Sequence, residues 1–332
     1  MQRAVRQVPA AAVTRHASMQ SYLTIRALAD RAYRRDAFAL YAYFRWLDDA
    51  VDEHLAGAAE RLELVARQRR LLERAAGTGP TPWDQASPEE RLLVGLLRHP
   101  DGGPRTDADG ARTSVTSMLD VMAFDAGRRG CRVTGAELDG YTRTLAIAVT
   151  EALHHCIGHG AGAPHDESRY VAVSGAHVAH MLRDLRRDVP AGYVNIPAER
   201  LDAGILSPDE PGSVALRAWV RERVELARAC FDAGRVYLAR LESGRCRLAG
   251  HAYIARFEWV LDAIERDGYR LRETYAERST LRGGLAIGAA AARSARAAAP
   301  LRDADEPGHL GQPGHLGQPG KPGERSGPVV RR

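Results

Sequence analysis

Apolar residues recur every three or four positions along nearly all of the chain up to residue 297, the repeat of helices that bury one face. A first run carries Leu23, Leu28, Tyr33, Phe38, Leu40, Tyr41, Phe44 and Leu47, and shorter runs follow over Leu62–Leu72, Leu92–Leu97 and Val115–Met122. The period then predicts four long helices, over Ala136–Ile157, Asp166–Arg187, Ser213–Leu241 and Gly250–Tyr275. Gly77–Ser87 and His99–Gly110 interrupt the pattern with Gly and Pro, as helix–helix connections do. No segment alternates apolar and polar residues with β-branched enrichment, so no sheet is expected. The expected fold is all-α, a single helical bundle whose ligand site is built from side chains pointing into a central cavity.

Composition changes abruptly near Ala298. From there the chain carries Pro, Gly and charge, with a tandem near-repeat at Pro307–Gln312 and Pro313–Gln318. Such a segment buries too little apolar surface to offset the entropy of ordering it. The expected organisation is therefore one helical domain over 1–297 and a disordered tail over 298–332.

The formal net charge is +5, but bases and acids are interspersed and no basic run carries interleaved aromatics, so nucleic acid is not an expected partner. Cys131, Cys156, Cys230 and Cys246 form no CxxC pair, which argues against a disulfide framework or a zinc site and makes the cytoplasm the default location. Met1–Ala12 lacks the apolar core of a signal peptide, and Leu285–Pro300 is too short and too Arg-interrupted to span a bilayer; membrane contact would be peripheral at most.

Two segments concentrate charge where the pattern is otherwise apolar. Around Tyr41–Glu53, Asp48 and Asp52 stand four residues apart and share one helix face, with Asp49 and Arg45 beside them. Around His177–Pro190, Asp184 and Asp188 repeat that spacing behind Arg183. Read singly, the first is a solvated acidic helix end and the second a local ion-pair network with Arg183, Arg186 and Arg187. Read together, two carboxylate pairs on facing helices make a hard-oxygen site suited to Mg²⁺ ions that bridge to substrate phosphates.

These landmarks resemble the squalene/phytoene synthase family, in order, over about residues 18–275. The Ser-aromatic element matches Ser21 and Tyr22, the first DxxxD with its upstream Arg matches Arg45, Asp48, Asp49 and Asp52, and a later Asp matches Asp125. A pocket tyrosine matches Tyr141, the second DxxxD matches Arg183, Asp184 and Asp188, and a late tyrosine matches Tyr269. The resemblance implies a bundle of isoprenoid-synthase type. In it both aspartate pairs hold Mg²⁺, Arg45 and Arg183 hold diphosphate oxygens, and the allylic C–O bond of a prenyl diphosphate ionises. Tyr22, Phe44, Tyr141 and Tyr269 would line the cavity and face a carbocation, with plain core packing as the alternative.

The chain departs from the family pattern at three places. His177 and His180 replace the Gln and Asn before the Arg-Asp, the segment Val189–Pro197, with Tyr193 and Asn195, stands where further acids and a Gly-Arg-x-Tyr element are usual, and Ile147 and Thr150 replace glycines. The added volume would reshape a long prenyl channel, and the lost Arg removes a cation. We therefore expect transfer of a short prenyl group, such as dimethylallyl, to a non-isoprenoid aromatic small-molecule acceptor. His180, then His177, would take the acceptor's proton unless both only replace amides as hydrogen-bonding groups. Head-to-head condensation of two prenyl diphosphates is the second expectation, and a binding protein of the same fold without turnover the third.

Overall fold

The computed structural model describes residues 9–51, 55, 57–80, 82–202, 207, 210 and 212–275. Among them lie eleven α-helices and one short 3₁₀ segment, and no β-strand, as the helical period requires. The described residues belong to one unit, Met1–Ala299; the other unit, Pro300–Arg332, and with it the tail expected to be disordered, lies outside them. No described helix is long and apolar enough to cross a membrane.

Helices α1 (Ala10–Ala17) and α2 (Met19–Leu28) precede α3 (Arg34–Asp49). Next come α4 (Ala58–Ala76), α5 (Glu90–Leu97) and α6 (Asp109–Arg128), then α7 (Gly135–Cys156) and α8 (Ser168–Asp188). The described helices end with α9 (Ala198–Asp202), α10 (Val214–Ala239) and α11 (Gly244–Arg266). The expected Ala136–Ile157, Asp166–Arg187 and Ser213–Leu241 agree with α7, α8 and α10 to within a few residues. The expected Gly250–Tyr275 does not: α11 begins six residues earlier and stops at Arg266. There Gly268 and then Tyr269 adopt left-handed backbone, φ 64° and 63°, and the Tyr269 N–H closes the helix end on Ile264 O at 2.9 Å.

α8 is the central element, packed against α7, α10 and α11. Its buried residues, from Tyr170 and Val173 through Ala176, Met181, Leu182 and Leu185, fall on more than one face. A helix that buries residues on more than one face belongs inside a bundle. It approaches α10 closely at Gly175, where a Cβ would meet Cys230 Cβ at 2.7 Å and Ala227 O at 2.9 Å. α7 starts on a capping box: Thr134 Oγ1 accepts from the Glu137 N–H (3.2 Å) and Glu137 Oε2 from the Thr134 N–H (2.8 Å).

α3 is tied in by buried polar chains. Tyr43 donates to Gln68 Oε1 (3.1 Å), Gln68 donates to Glu90 Oε1 (2.8 Å), and Arg67 grips Glu90 with two bonds at 2.8 and 2.9 Å. At its other end Asp36 meets Arg105 (2.8 Å) and His155 (3.2 Å). These buried pairings specify the register of α3 against α4, α5 and α7.

Candidate active site

The C-terminal end of α3 presents Phe44, Arg45, Asp48 and Asp49. Arg45 Nε donates to Asp49 Oδ2 (3.1 Å) and its Nη1 lies 3.6 Å from Asp48 Oδ2. Beyond Asp49 the backbone widens into a π turn at Ala50–Val51, a distortion frequent at functional sites. Asp52, the second member of this pair, lies outside the described residues.

On α8 the same spacing sits in a different environment. Asp184 Oδ1 accepts from Arg183 Nε (2.8 Å), while His180 Nε2 and Arg187 Nη2 stand 2.7 and 3.2 Å from Oδ2. Burial alone would raise the Asp184 pKa, but the hydrogen bonds from His180 and Arg183 outweigh it and hold the carboxyl well below the usual range. Asp188, one turn on, moves the opposite way: burial and then the negative charge of Asp184 push its pKa up. Arg186, read as a local neutraliser, instead reaches Glu273 (3.2 Å).

Both helices face one cavity of about 680 Å³. α3 contributes Phe44, Arg45 and Asp48 to its wall, and α8 contributes His177, His180, Asp184 and Asp188. Tyr141 joins from α7, with its hydroxyl donating to Asp125 Oδ2 (2.8 Å) and its ring stacked on Phe124 at 4.9 Å. The Tyr141 ring also meets His177 edge-on at 4.9 Å, and His177 Nδ1 lies 3.1 Å from Thr142 Oγ1. Burial, followed by the charges of His180 and Arg128, lowers the His177 pKa to about 3, so its ring is neutral at physiological pH.

The structure does not bring every expected residue to this wall. Arg183 is spent on Asp184, and Asp49 on Arg45. Ser21 bonds Ser18, the N-cap of α2, while Tyr22 packs on Phe38 at 5.5 Å and its hydroxyl accepts from Arg26 (3.2 Å). Tyr269 holds Arg221 over its ring at 4.8 Å. Ile147 packs with Ala146, Tyr170 and Val173, and the buried Thr150 carries a hydroxyl without a hydrogen-bond partner. None of these seven is among the described residues that line the cavity. The expectation that Ile147 and Thr150 narrow the prenyl channel therefore finds no support in their placement.

Among the lining residues with no expected role in the site are Arg128, Arg187, Tyr193 and Asn195. Arg128 stands three residues after Asp125, within reach on the same helix face. It was hidden because the apolar run stops at Met122 while α6 continues to Arg128. Tyr193 and Asn195 reach the cavity because α8 stops at Asp188, two residues before Pro190, and the chain turns at Gly192, φ 92°. A Cβ there would stand 3.2 Å from Arg129 Cγ and 3.3 Å from Gly130 N, so this turn calls for glycine on both counts.

With this geometry in place, the comparison with known proteins is informative. The sequence pattern of squalene/phytoene synthases matches residues 14–282, most of the chain. The protein belongs to the squalene/phytoene synthase family. As a member it is a prenyltransferase, of a family that acts on prenyl diphosphates with divalent metal. Squalene synthase HpnC from Alicyclobacillus acidocaldarius shares the fold at 20% identity and TM-score 0.63, over 79% of this chain and 94% of that one. A dehydrosqualene synthase in complex with ligand does so at 15% identity and TM-score 0.64, over 87% and 95%. No curated protein matches the chain by sequence.

The side chains fit a divalent cation held jointly with substrate. Among the described residues no three His, Cys, Asp or Glu side chains form a closed metal cage. Mg²⁺ does not require one, since it takes one or two carboxylates and completes its shell with waters and substrate phosphates. Asp188 supplies the test of fit: its carboxyl is pushed up by burial and by the charge of Asp184, and a dication beside the two would relieve that repulsion.

Proposed function

We propose that the protein ionises an allylic prenyl diphosphate in this cavity and passes the prenyl group, a short one such as dimethylallyl, to a non-isoprenoid aromatic acceptor. The observation that carries the first half is the meeting of carboxylates from α3 and α8 with Arg45, Arg128 and Arg187 on one cavity wall. Asp48, Asp184 and Asp188, with Asp52 by its spacing, would hold Mg²⁺. When bound, the metal supplies Lewis-acid withdrawal of charge from the leaving diphosphate. Arg45 and Arg187 reach for diphosphate oxygens, and the rings of Phe44 and Tyr141 offer their faces to the allylic cation.

The second half rests on the polar part of the wall, where His177, His180, Tyr193 and Asn195 stand. A second long isoprenoid would have to bury hydrocarbon against these groups and strip their water, whereas an aromatic acceptor with polar substituents can bond them. Ionised Asp184 only accepts hydrogen bonds, so the His180 nitrogen against it, Nε2, carries the hydrogen. Nδ1 is then the nitrogen suited to take the acceptor's proton. His177, with its pKa lowered to about 3, is a poor proton acceptor.

One observation favours a second reading, head-to-head condensation of two prenyl diphosphates: Ile147 and Thr150 stand away from the described cavity wall, so their bulk does not exclude a second chain there. Product analysis separates the two. With Mg²⁺, dimethylallyl diphosphate and an electron-rich aromatic, the proposed activity releases pyrophosphate and a prenylated acceptor. Farnesyl or geranylgeranyl diphosphate alone gives no C30 or C40 hydrocarbon. Squalene, phytoene or their cyclopropyl diphosphate precursors would instead install the second reading.

A further inference from the structure

Three arginines line the cavity, and they differ in how they are held. Arg45 and Arg187 keep 45% and 70% of their side chains exposed, whereas Arg128 keeps 8%. Its Nε donates to Asp125 Oδ1 at 2.7 Å and its Nη1 to Asn195 Oδ1 at 2.8 Å. Its Cζ stands 5.3, 4.9 and 5.3 Å from the ring centres of Phe124, Tyr141 and Tyr193. The second Asp125 oxygen accepts from Tyr141 at 2.8 Å. Groups from α6, α7 and the turn after α8 thus fix one guanidinium in one orientation at the cavity wall.

An ion pair between residues three apart needs none of this apparatus. Asn195 and Tyr193 reach Arg128 only because the Gly192 turn docks on Gly130, whose N–H donates to Gly192 O at 2.8 Å. They also occupy the two positions at which the chain departs from the family's Gly-Arg-x-Tyr element. The ring at the first position lies against the Arg128 guanidinium, and the amide at the second accepts from it. The cation that the sequence lacks at 193 is present in space, delivered from α6.

We propose that Arg128 is a diphosphate-binding residue of this enzyme, aimed by Asp125 and Asn195, and that it replaces from α6 the cation missing at Tyr193. This rests on the reading of the substrate as a prenyl diphosphate. An arginine held on one side by a carboxylate and an amide keeps the remaining N–H groups of its planar fork in a fixed direction, which suits bidentate recognition of phosphate oxygens. The same arrangement lowers the entropy lost when the ligand arrives.

The test is binding of inorganic pyrophosphate with Mg²⁺ to the full chain, measured by calorimetry, which needs neither turnover nor an acceptor. Arg128→Gln should weaken pyrophosphate at least about tenfold, the loss expected for a hydrogen bond to a charged group. Asp125→Asn keeps the cation and, in the amide oxygen, an acceptor for its Nε, so it should weaken pyrophosphate clearly less than Arg128→Gln does. A purely structural ion pair predicts that both variants weaken binding alike, in step with their loss of thermal stability. Asp125→Asn combined with Arg128→Gln leaves no buried charge unpaired and guards against misfolding; it too should bind about tenfold more weakly. Affinity of that double variant within about twofold of wild type, or equal weakening by the two single variants, overturns the proposal. Failure of the wild-type chain to bind pyrophosphate overturns the diphosphate reading itself.

Discussion

Asp48 closes α3 with its side chain 46% exposed, whereas Asp184 sits in a helix buried on more than one face, with its side chain 9% exposed. Both begin an i,i+4 aspartate pair with arginine nearby, and both face the same cavity. The exposed carboxylate stands 3.6 Å from Arg45 Nη1. The buried one is locked by Arg183, His180 and Arg187, and its charge burdens Asp188. The comparison teaches that one spacing can sit in two settings: α8 presents a carboxylate fixed by buried partners, and α3 one that stays largely exposed.

The largest difference should appear in stability. Removing one partner of a buried ion pair leaves the other uncompensated, typically at about 3–5 kcal/mol. Asp184→Asn should cost about 3 kcal/mol, the low end of that range, because relief of the repulsion on Asp188 offsets part of the loss. Asp48→Asn, an exposed pair, should cost under about 1 kcal/mol. Thermal unfolding of the two variants measures this directly, and equal shifts would erase the distinction between the helices.

His180 sharpens the comparison, since it belongs to the buried pair through Asp184 and has no counterpart on α3. His180→Gln should slow acceptor prenylation by about 100-fold, the lower end for loss of a general base. Hydrolysis of the diphosphate should fall much less. A parallel fall in both rates would mean that His180 serves Asp184 alone and takes no proton.

How much of this was legible in the sequence differs between the same two regions. The span of α8, its aspartates and its histidines follow from periodicity and spacing, because a central helix has an unambiguous apolar pattern. That Asp184 would be locked and Asp48 exposed does not follow, since spacing assigns a shared face but not what packs against it. Tyr269 and the end of α11 were misread because a left-handed non-glycine residue has no clear sequence signal. Ser21 and Tyr22 match a family element, yet here they cap and pack α2 away from the cavity. Arg128 was missed because a charged residue at a helix end looks like a solvated one until Tyr141, Tyr193 and Asn195 fold around it.

A smaller effect concerns pH. The His177 pKa falls to about 3 in the folded chain, chiefly by burial, against about 6.5 when unfolded. The unfolded chain therefore binds the extra proton first as pH drops. His177 withdraws stability as pH falls from about 6.5 toward 3, and is neutral in its effect above that window. His177→Gln should abolish this contribution, so its melting temperature should fall less than the wild type's between about pH 7 and 5, by a few degrees. Identical slopes would place His177 in contact with water.

The central claim is that both acidic helices act on one diphosphate through a divalent ion, and pyrophosphate release from dimethylallyl diphosphate tests it most directly. Wild-type protein should release pyrophosphate with Mg²⁺ and not in excess EDTA. Asp48→Asn and Asp184→Asn, assayed below their melting temperatures, should each lose at least about 100-fold, the scale of losing one charge-stabilising group at the reacting centre. Release at the wild-type rate in EDTA, or by either variant with Mg²⁺, would contradict the account.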